Sequence, residues 1–104
     1  MEAKFFHRDV EKFILSLQKP TIAKTLRTIE LLERFGHKLG MPHSKKVHQH
    51  IFELRVRGIQ EVRILYVLRG NEAFLLHGFL KKSDRIPKRE LERALQLSRE
   101  LART

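Results

Sequence analysis

The sequence predicts an α+β domain in which an N-terminal helical hairpin packs on a small twisted antiparallel sheet, with the elements in the order (β)ααβββα. Three observations predict it. The stretch 52–82, FELRVRGIQEVRILYVLRGNEAFLLHGFLKK, holds three short apolar runs joined by two tight connections. On either side of it, apolar residues recur at helical spacing. The prolines, Pro20, Pro42 and Pro87, all fall between these segments, where a fixed φ and a missing N–H are tolerated.

The strands come from the period-2 pattern. Phe52–Arg57 alternates, with Phe52, Leu54 and Val56 against Glu53, Arg55 and Arg57, which is the signature of a half-buried strand. Glu61–Leu68 is β-branched and apolar enough for a central strand. Gly70-Asn71 supplies a tight turn into a third strand, Ala73–Leu80. Ala3–Phe6 is read as a short edge strand. With Gly58-Ile59-Gln60 as a three-residue connection, Arg57 faces Glu61 and Arg55 faces Arg63. With Gly70-Asn71 as a two-residue turn, Arg63 faces Gly78, which leaves open space beside it, and the same face continues through Leu80 to Lys82. Tyr66, Phe52 and Phe79 are expected in the core, and His77 opposite Ile64. Like charges directly opposite one another destabilise a sheet. The row Arg55, Arg63, Lys82 therefore fits an anionic ligand, or else a solvated polar face, and a one-residue slip would exchange the two faces.

The helices come from the 3.6-residue period. Asp9 serves as an N-cap for a helix over 9–18 with Val10, Phe13, Ile14 and Leu17 on one face. Pro20 opens a second helix whose stripe is Ile22, Ala23, Leu26, Ile29, Leu32 and Phe35, stopped by Gly36. After Gly40-Met41-Pro42, the segment His43–His50 (HSKKVHQH) reads as a polar, basic loop. Pro87 opens a closing helix over Lys88–Arg103, with Leu91, Ala94, Leu95, Ser98, Leu101 and Ala102 as its stripe. The helices are expected on one face of the sheet, and 1–104 as a single domain.

Composition narrows the function. The net charge is +10, and between Lys45 and Arg89 there are eleven Lys or Arg against four acids. Nucleic acid is the commonest partner for such a field, ahead of an anionic membrane surface or an acidic protein. Cysteine is absent, which removes disulfides and thiol chemistry. The N-terminal residues carry no signal-like apolar region, and no apolar run approaches the ~18–20 residues of a membrane span. A cytoplasmic protein that does not engage membrane is the expectation. Phosphate-binding glycine loops, a nucleophile elbow and a glycosidase acid pair are all missing. His48 and His50 are not joined by further ligands at zinc spacing, so no metal or other cofactor is expected.

A cluster of cations with a few histidines suits metal-free RNA cleavage. The 2′-hydroxyl attacks its own phosphate, and the reaction needs a base, cations on the phosphorane and an acid for the 5′-oxygen. Arginine stabilises the phosphorane charge, and a lysine crowded by arginines is a candidate base. DNA lacks the 2′-hydroxyl.

The strings Phe-Glu-Leu-Arg (52–55), Val-Arg-Ile-Leu-Tyr (62–66) and Leu-Leu-His-Gly-Phe-Leu-Lys-Lys (75–82), with Pro87 and a closing helix, resemble the RelE/ParE toxin superfamily. They come nearest its phage-derived HigB-like branch, the toxins of type II toxin–antitoxin systems. The resemblance spans nearly the whole chain, including the hairpin and Pro42–Lys46. It implies a RelE-like fold and a ribosome-dependent mRNA endonuclease that cuts in the A site of the 70S ribosome. It also implies a cognate antitoxin, often a helix-turn-helix DNA-binding protein. By the same resemblance, Arg55, Arg63, Lys81 and Lys82 are the catalytic candidates. Arg57, Lys45, Lys46, Arg85 and His77 are the RNA- or phosphate-binding candidates.

The sequence departs from RelE in two ways. RelE has a tyrosine a few residues beyond the last basic position, where Ile86-Pro87 stands here, so the acid falls to His77, a loop histidine or the ribosome. RelE has a lysine on the first sheet strand where Arg55 stands, so the base falls to Lys82 or Lys46. ParE members share the fold but inhibit gyrase, and a ParE-like toxin or a non-catalytic basic binding module is the alternative.

Overall fold

A computed structural model describes residues 1–104. The chain opens on a strand, β1 (Glu2–Phe5), then forms α1 (Arg8–Leu15) and α2 (Lys19–Phe35), a short 3-10 turn at Gly36–Lys38, β2 (Ser44–His48), β3 (Ile51–Val56), β4 (Val62–Arg69), β5 (Glu72–Leu80) and α3 (Lys88–Ala102). The strands form one sheet in the order β1-β5-β4-β3-β2. β1 runs parallel to β5 and the other pairs are antiparallel. This corrects the expected fold class: the sheet is five-stranded and mixed rather than small and antiparallel, and the short first strand, expected at the edge, precedes the helices as a full member of that sheet, parallel to β5.

The second correction concerns the layers. α1 and α2 pack Val10, Ile14, Leu17, Ile29 and Leu32 on Leu54, Val56, Val62, Ile64, Tyr66, Ala73 and Leu75. α3 packs Ala94, Leu97 and Leu101 on Ile51, Leu65, Val67, Leu76 and Phe79. The sheet is thus covered on both faces. β4 explains why: all residues from Val62 to Val67 are buried, as in a strand with a layer on each side. Each fully buried aliphatic side chain contributes about 1.5–3 kcal/mol.

Local chemistry sets the element ends. His7, not Asp9, caps α1, its Nδ1 accepting the Asp9 N–H at 3.2 Å. Gly36 ends α2 with φ 54, a conformation that a side chain disfavours. The buried face of α2 is rotated from the apolar stripe and comprises Thr21, Thr25, Thr28, Ile29 and Leu32, while Leu26 and Phe35 are exposed. The Thr28 hydroxyl donates to the Lys24 carbonyl at 2.8 Å, satisfying one of these buried polar groups.

The basic segment expected to be a loop contains β2, registered on β3 with Ser44 opposite Leu54, Lys45 opposite Glu53 and Lys46 opposite Phe52. Exposed lysines on an edge strand discourage pairing with another chain and hide the strand from a hydrophobicity pattern. Its inward residue is polar too: Ser44 is buried and its hydroxyl meets the Tyr66 hydroxyl at 2.5 Å.

β5 carries a bulge. Leu65 pairs with His77 but Tyr66 pairs with Leu75, leaving Leu76 unpaired. The extra residue exchanges the faces of the distal half of β5. Arg63 pairs with Phe79, and Gly78 with Ile64. The space at Gly78 is on the α1 side and is occupied: a Cβ there would lie 2.5 Å from Phe13 Cδ2.

Candidate anion-binding site

β3 and β4 set Arg55 directly opposite Arg63, as the strand parity predicts. Val56 pairs with Val62 just beyond them, and across the connection Arg57 Nε lies 3.4 Å from Glu61 Oε1. At this end of the sheet α3 no longer covers the face. A cavity of about 330 Å³ opens there, lined by Lys45, Glu53, Arg55, Arg57, Glu61, Arg63, Lys81, Lys82, Ser83 and Asp84, with no hydrophobic residue. Its wall holds six cations and three carboxylates, so its field favours an anion.

The floor is a buried ionic cluster. Glu53 and Arg63 are each 2% exposed. Glu53 Oε1 lies 3.7 Å from Arg55 Nε, and its Oε2 lies 3.7 Å from Arg63 Nε and 4.0 Å from Lys81 Nζ. Arg63 donates to the Val62 carbonyl at 2.9 Å and to Glu61 Oε1 at 3.3 Å. The Nε groups of Arg55 and Arg63 and Oε2 of Glu53 make no hydrogen bond to protein. Arg55 Nη1 touches Met41 Sδ at 3.2 Å, a weak acceptor. The Lys81 N–H donates to the Glu61 carbonyl at 2.8 Å, which fixes Lys81 beside the start of β4.

Glu61 ties the floor to the rim. Burial pushes its carboxyl upward, but the Gly58 N–H, the Arg63 hydrogen bond and the charges of Arg63 and Arg57 outweigh burial and hold it below the ordinary value.

Of the residues singled out from sequence, Arg55, Arg57, Arg63, Lys81, Lys82 and Lys45 share this cavity. Lys46, Arg85 and His77 are not on its wall. Lys46 is registered with Phe52 and so shares the α2 side of the sheet. Arg85 is exposed on the following loop. His77 lies on the α3 side, its Nε2 2.7 Å from Glu90 Oε1 and its ring stacked on Phe79. His50, of the His48-x-His50 pair, meets the Ser98 hydroxyl of α3 at 2.6 Å. The bulge in β5 puts Lys81, rather than Lys82, on the face of Arg63. Glu53 had no assigned role in the sequence reading. The signal was there in its parity with Arg55, since an acid two residues before an arginine shares its face of a strand.

A larger open groove, about 770 Å³, runs along α2 and is lined by Lys24, Arg27, Thr28, Glu30, Leu31, Glu33, Arg34 and His43. Its charges are of mixed sign and mostly exposed, so it lacks the buried convergence of the cationic cavity.

The fold and cavity define a small α/β protein with a preformed cationic pocket at an uncovered end of its sheet. Residues 12–99 match the family described as phage derived protein Gp49-like (DUF891), and the chain belongs to that family. It is a RelE/HigB-like toxin family, associated with the toxins of toxin–antitoxin systems, and membership implies an antitoxin partner. No curated protein matches the chain. No helix is long and apolar enough to cross a membrane.

Proposed function

We propose that this protein is the toxin of a type II toxin–antitoxin system and acts as a ribosome-dependent mRNA endonuclease. The observation that carries the reading is the pairing of Arg55 with Arg63 at the floor of a cavity lined by no apolar side chain. In this reading the scissile phosphate enters the cavity. Arg55 and Lys81 meet the phosphorane oxygens, Arg63 adds charge from below, and Arg57 and Lys45 hold flanking phosphates. The 2′-oxygen forms a bond to phosphorus as the bond to the 5′-oxygen breaks, giving a 2′,3′-cyclic phosphate and a free 5′-hydroxyl. Lys82, at the rim, takes the 2′-proton. With no histidine on the wall, the proton for the 5′-oxygen comes from Lys81 or from the ribosome.

Primer extension on cellular mRNA after induction tests this. Breaks phased with codons and dependent on translating ribosomes are expected. Intact mRNA accompanied by DNA damage would instead identify a ParE-like gyrase inhibitor, and intact mRNA without it a non-catalytic binding module.

A further inference from the structure

We infer that Glu53 is the positioning residue of the cationic cavity: its one buried carboxylate holds Arg55, Arg63 and Lys81 in convergence while leaving hydrogen-bond capacity for a phosphate. The inference rests on reading the cavity as a phosphate site. Two arginines directly opposite on neighbouring strands repel, and a third cation, Lys81, lies on the same floor. Glu53 is the only acid buried among them. Its contacts of 3.7, 3.7 and 4.0 Å exceed the ~2.7–3.2 Å of an N–H···O bond. The carboxylate therefore offsets the repulsion through the buried Nε groups of Arg55 and Arg63, and the donors left for a ligand are the Nη atoms of Arg55 and Nζ of Lys81. Arg63 is different from its neighbours, because both its Nη groups are committed to Val62 and Glu61. It anchors the cluster, and Arg55 and Lys81 are left to meet the ligand.

This role gives a result of opposite sign to simple charge counting. Glu53→Gln makes the cavity one unit more positive, so an account based on net charge predicts tighter anion binding. Positioning predicts weaker binding, because Arg55, Arg63 and Lys81, no longer drawn to a common carboxylate, do not converge.

The experiment is titration of the folded protein with inorganic phosphate, followed by NMR shifts of the β3 and β4 amides, for wild type, Glu53→Gln and Glu53→Asp. Circular dichroism checks that each is folded. Wild type is expected to bind, Glu53→Gln to bind roughly tenfold more weakly or worse, as displaced donors do, and Glu53→Asp to fall between them. A folded Glu53→Gln that binds as tightly as wild type overturns the inference, as does a wild type that binds no phosphate here. Should Glu53→Gln fail to fold, Glu53→Asp decides: its charge is unchanged, so wild-type affinity overturns the inference and weakened affinity supports it. If phosphate binding follows the expected order while cellular mRNA stays intact, positioning by Glu53 stands and the nuclease reading falls.

Discussion

Arg63 lies directly across the sheet from Arg55, yet the two are unequal: Arg63 is 2% exposed and its Nη groups are committed to Val62 and Glu61, whereas Arg55 is 13% exposed and lines the cavity. Arg63 is therefore built into the floor, while Arg55 is the more accessible of the two. Strand parity places both arginines on one face and does not separate them, but burial does.

Removing Arg63 leaves Glu53 with two partners instead of three and takes away the one counterion that is itself buried. Breaking a buried pair costs about 3–5 kcal/mol. Arg63→Ala is expected to lower unfolding stability by about 3 kcal/mol, near the bottom of that range because Arg55 and Lys81 remain beside Glu53. Arg57, with a side chain 61% exposed, should cost less than ~1 kcal/mol when replaced by alanine. Urea denaturation of both variants checks the contrast. Loss of toxicity in Arg63→Ala must accordingly be read together with its stability.

Arg55→Ala is the cleaner functional substitution. Removing one donor from a charge-stabilising site costs about 10²–10³ in rate. The expected result is a cleavage rate on programmed ribosomes reduced by that factor, with a circular dichroism spectrum unchanged from wild type. Lys46→Ala, on the other side of the sheet, should leave the rate within about twofold, as expected for a surface lysine away from the reacting atoms.

How far the sequence revealed this site depended on a single residue. Strand alternation correctly placed Arg55 opposite Arg63, because the β3–β4 hairpin is regular. Alternation failed in β5, where unpaired Leu76 shifts the register. An apolar run such as Phe74-Leu75-Leu76 gives no hint of which residue is extra, since all of them suit either face. The shift moved Gly78 from beside Arg63 to beneath Phe13. The sheet's size was hidden at the β2 edge, whereas the short edge strand expected over Ala3–Phe6 forms as β1. β2 is basic and lacks the hydrophobic period by which strands are recognised, and nothing in the sequence showed that β1 would pair in parallel with β5. The apolar breadth of β4 was legible as a central strand, but not which helix would cover its second face.

The relocated glycine makes its own prediction. In Gly78→Ala the new methyl would sit 2.5 and 2.8 Å from ring carbons of Phe13. Overpacking of this kind costs about 1–3 kcal/mol. Gly78→Ala is expected to lower stability by that amount, and Phe13→Leu in the same chain to recover part of it. A double-mutant cycle in urea measures the coupling.

The acid limb of stability should depend on Glu61. Its carboxyl is held below the ordinary value of 4.5, so the unfolded chain binds its proton more readily. The stabilisation is fully present above that value and is lost as pH falls through the lower folded-state pKa. Glu61→Gln is expected to flatten the decline between about pH 5 and pH 3, measured as thermal midpoint against pH. Tyr66 acts at the other extreme. Burial, only partly offset by the Ser44 hydrogen bond, raises its hydroxyl above 10.0. Its contribution is present below 10.0 and is lost as pH rises through the higher folded-state value. Tyr66→Phe should flatten that alkaline limb.

Cleavage by 2′-hydroxyl attack is tested most directly by reacting purified protein with ribosomes holding a defined mRNA, in which the nucleotide 5′ of the cut is either ribose or 2′-deoxyribose. A metal-free ribonuclease makes a single cut leaving a 2′,3′-cyclic phosphate on the ribose message, and no cut when the one 2′-hydroxyl is missing. Cleavage of both messages at equal rates, or of neither, would contradict this chemistry.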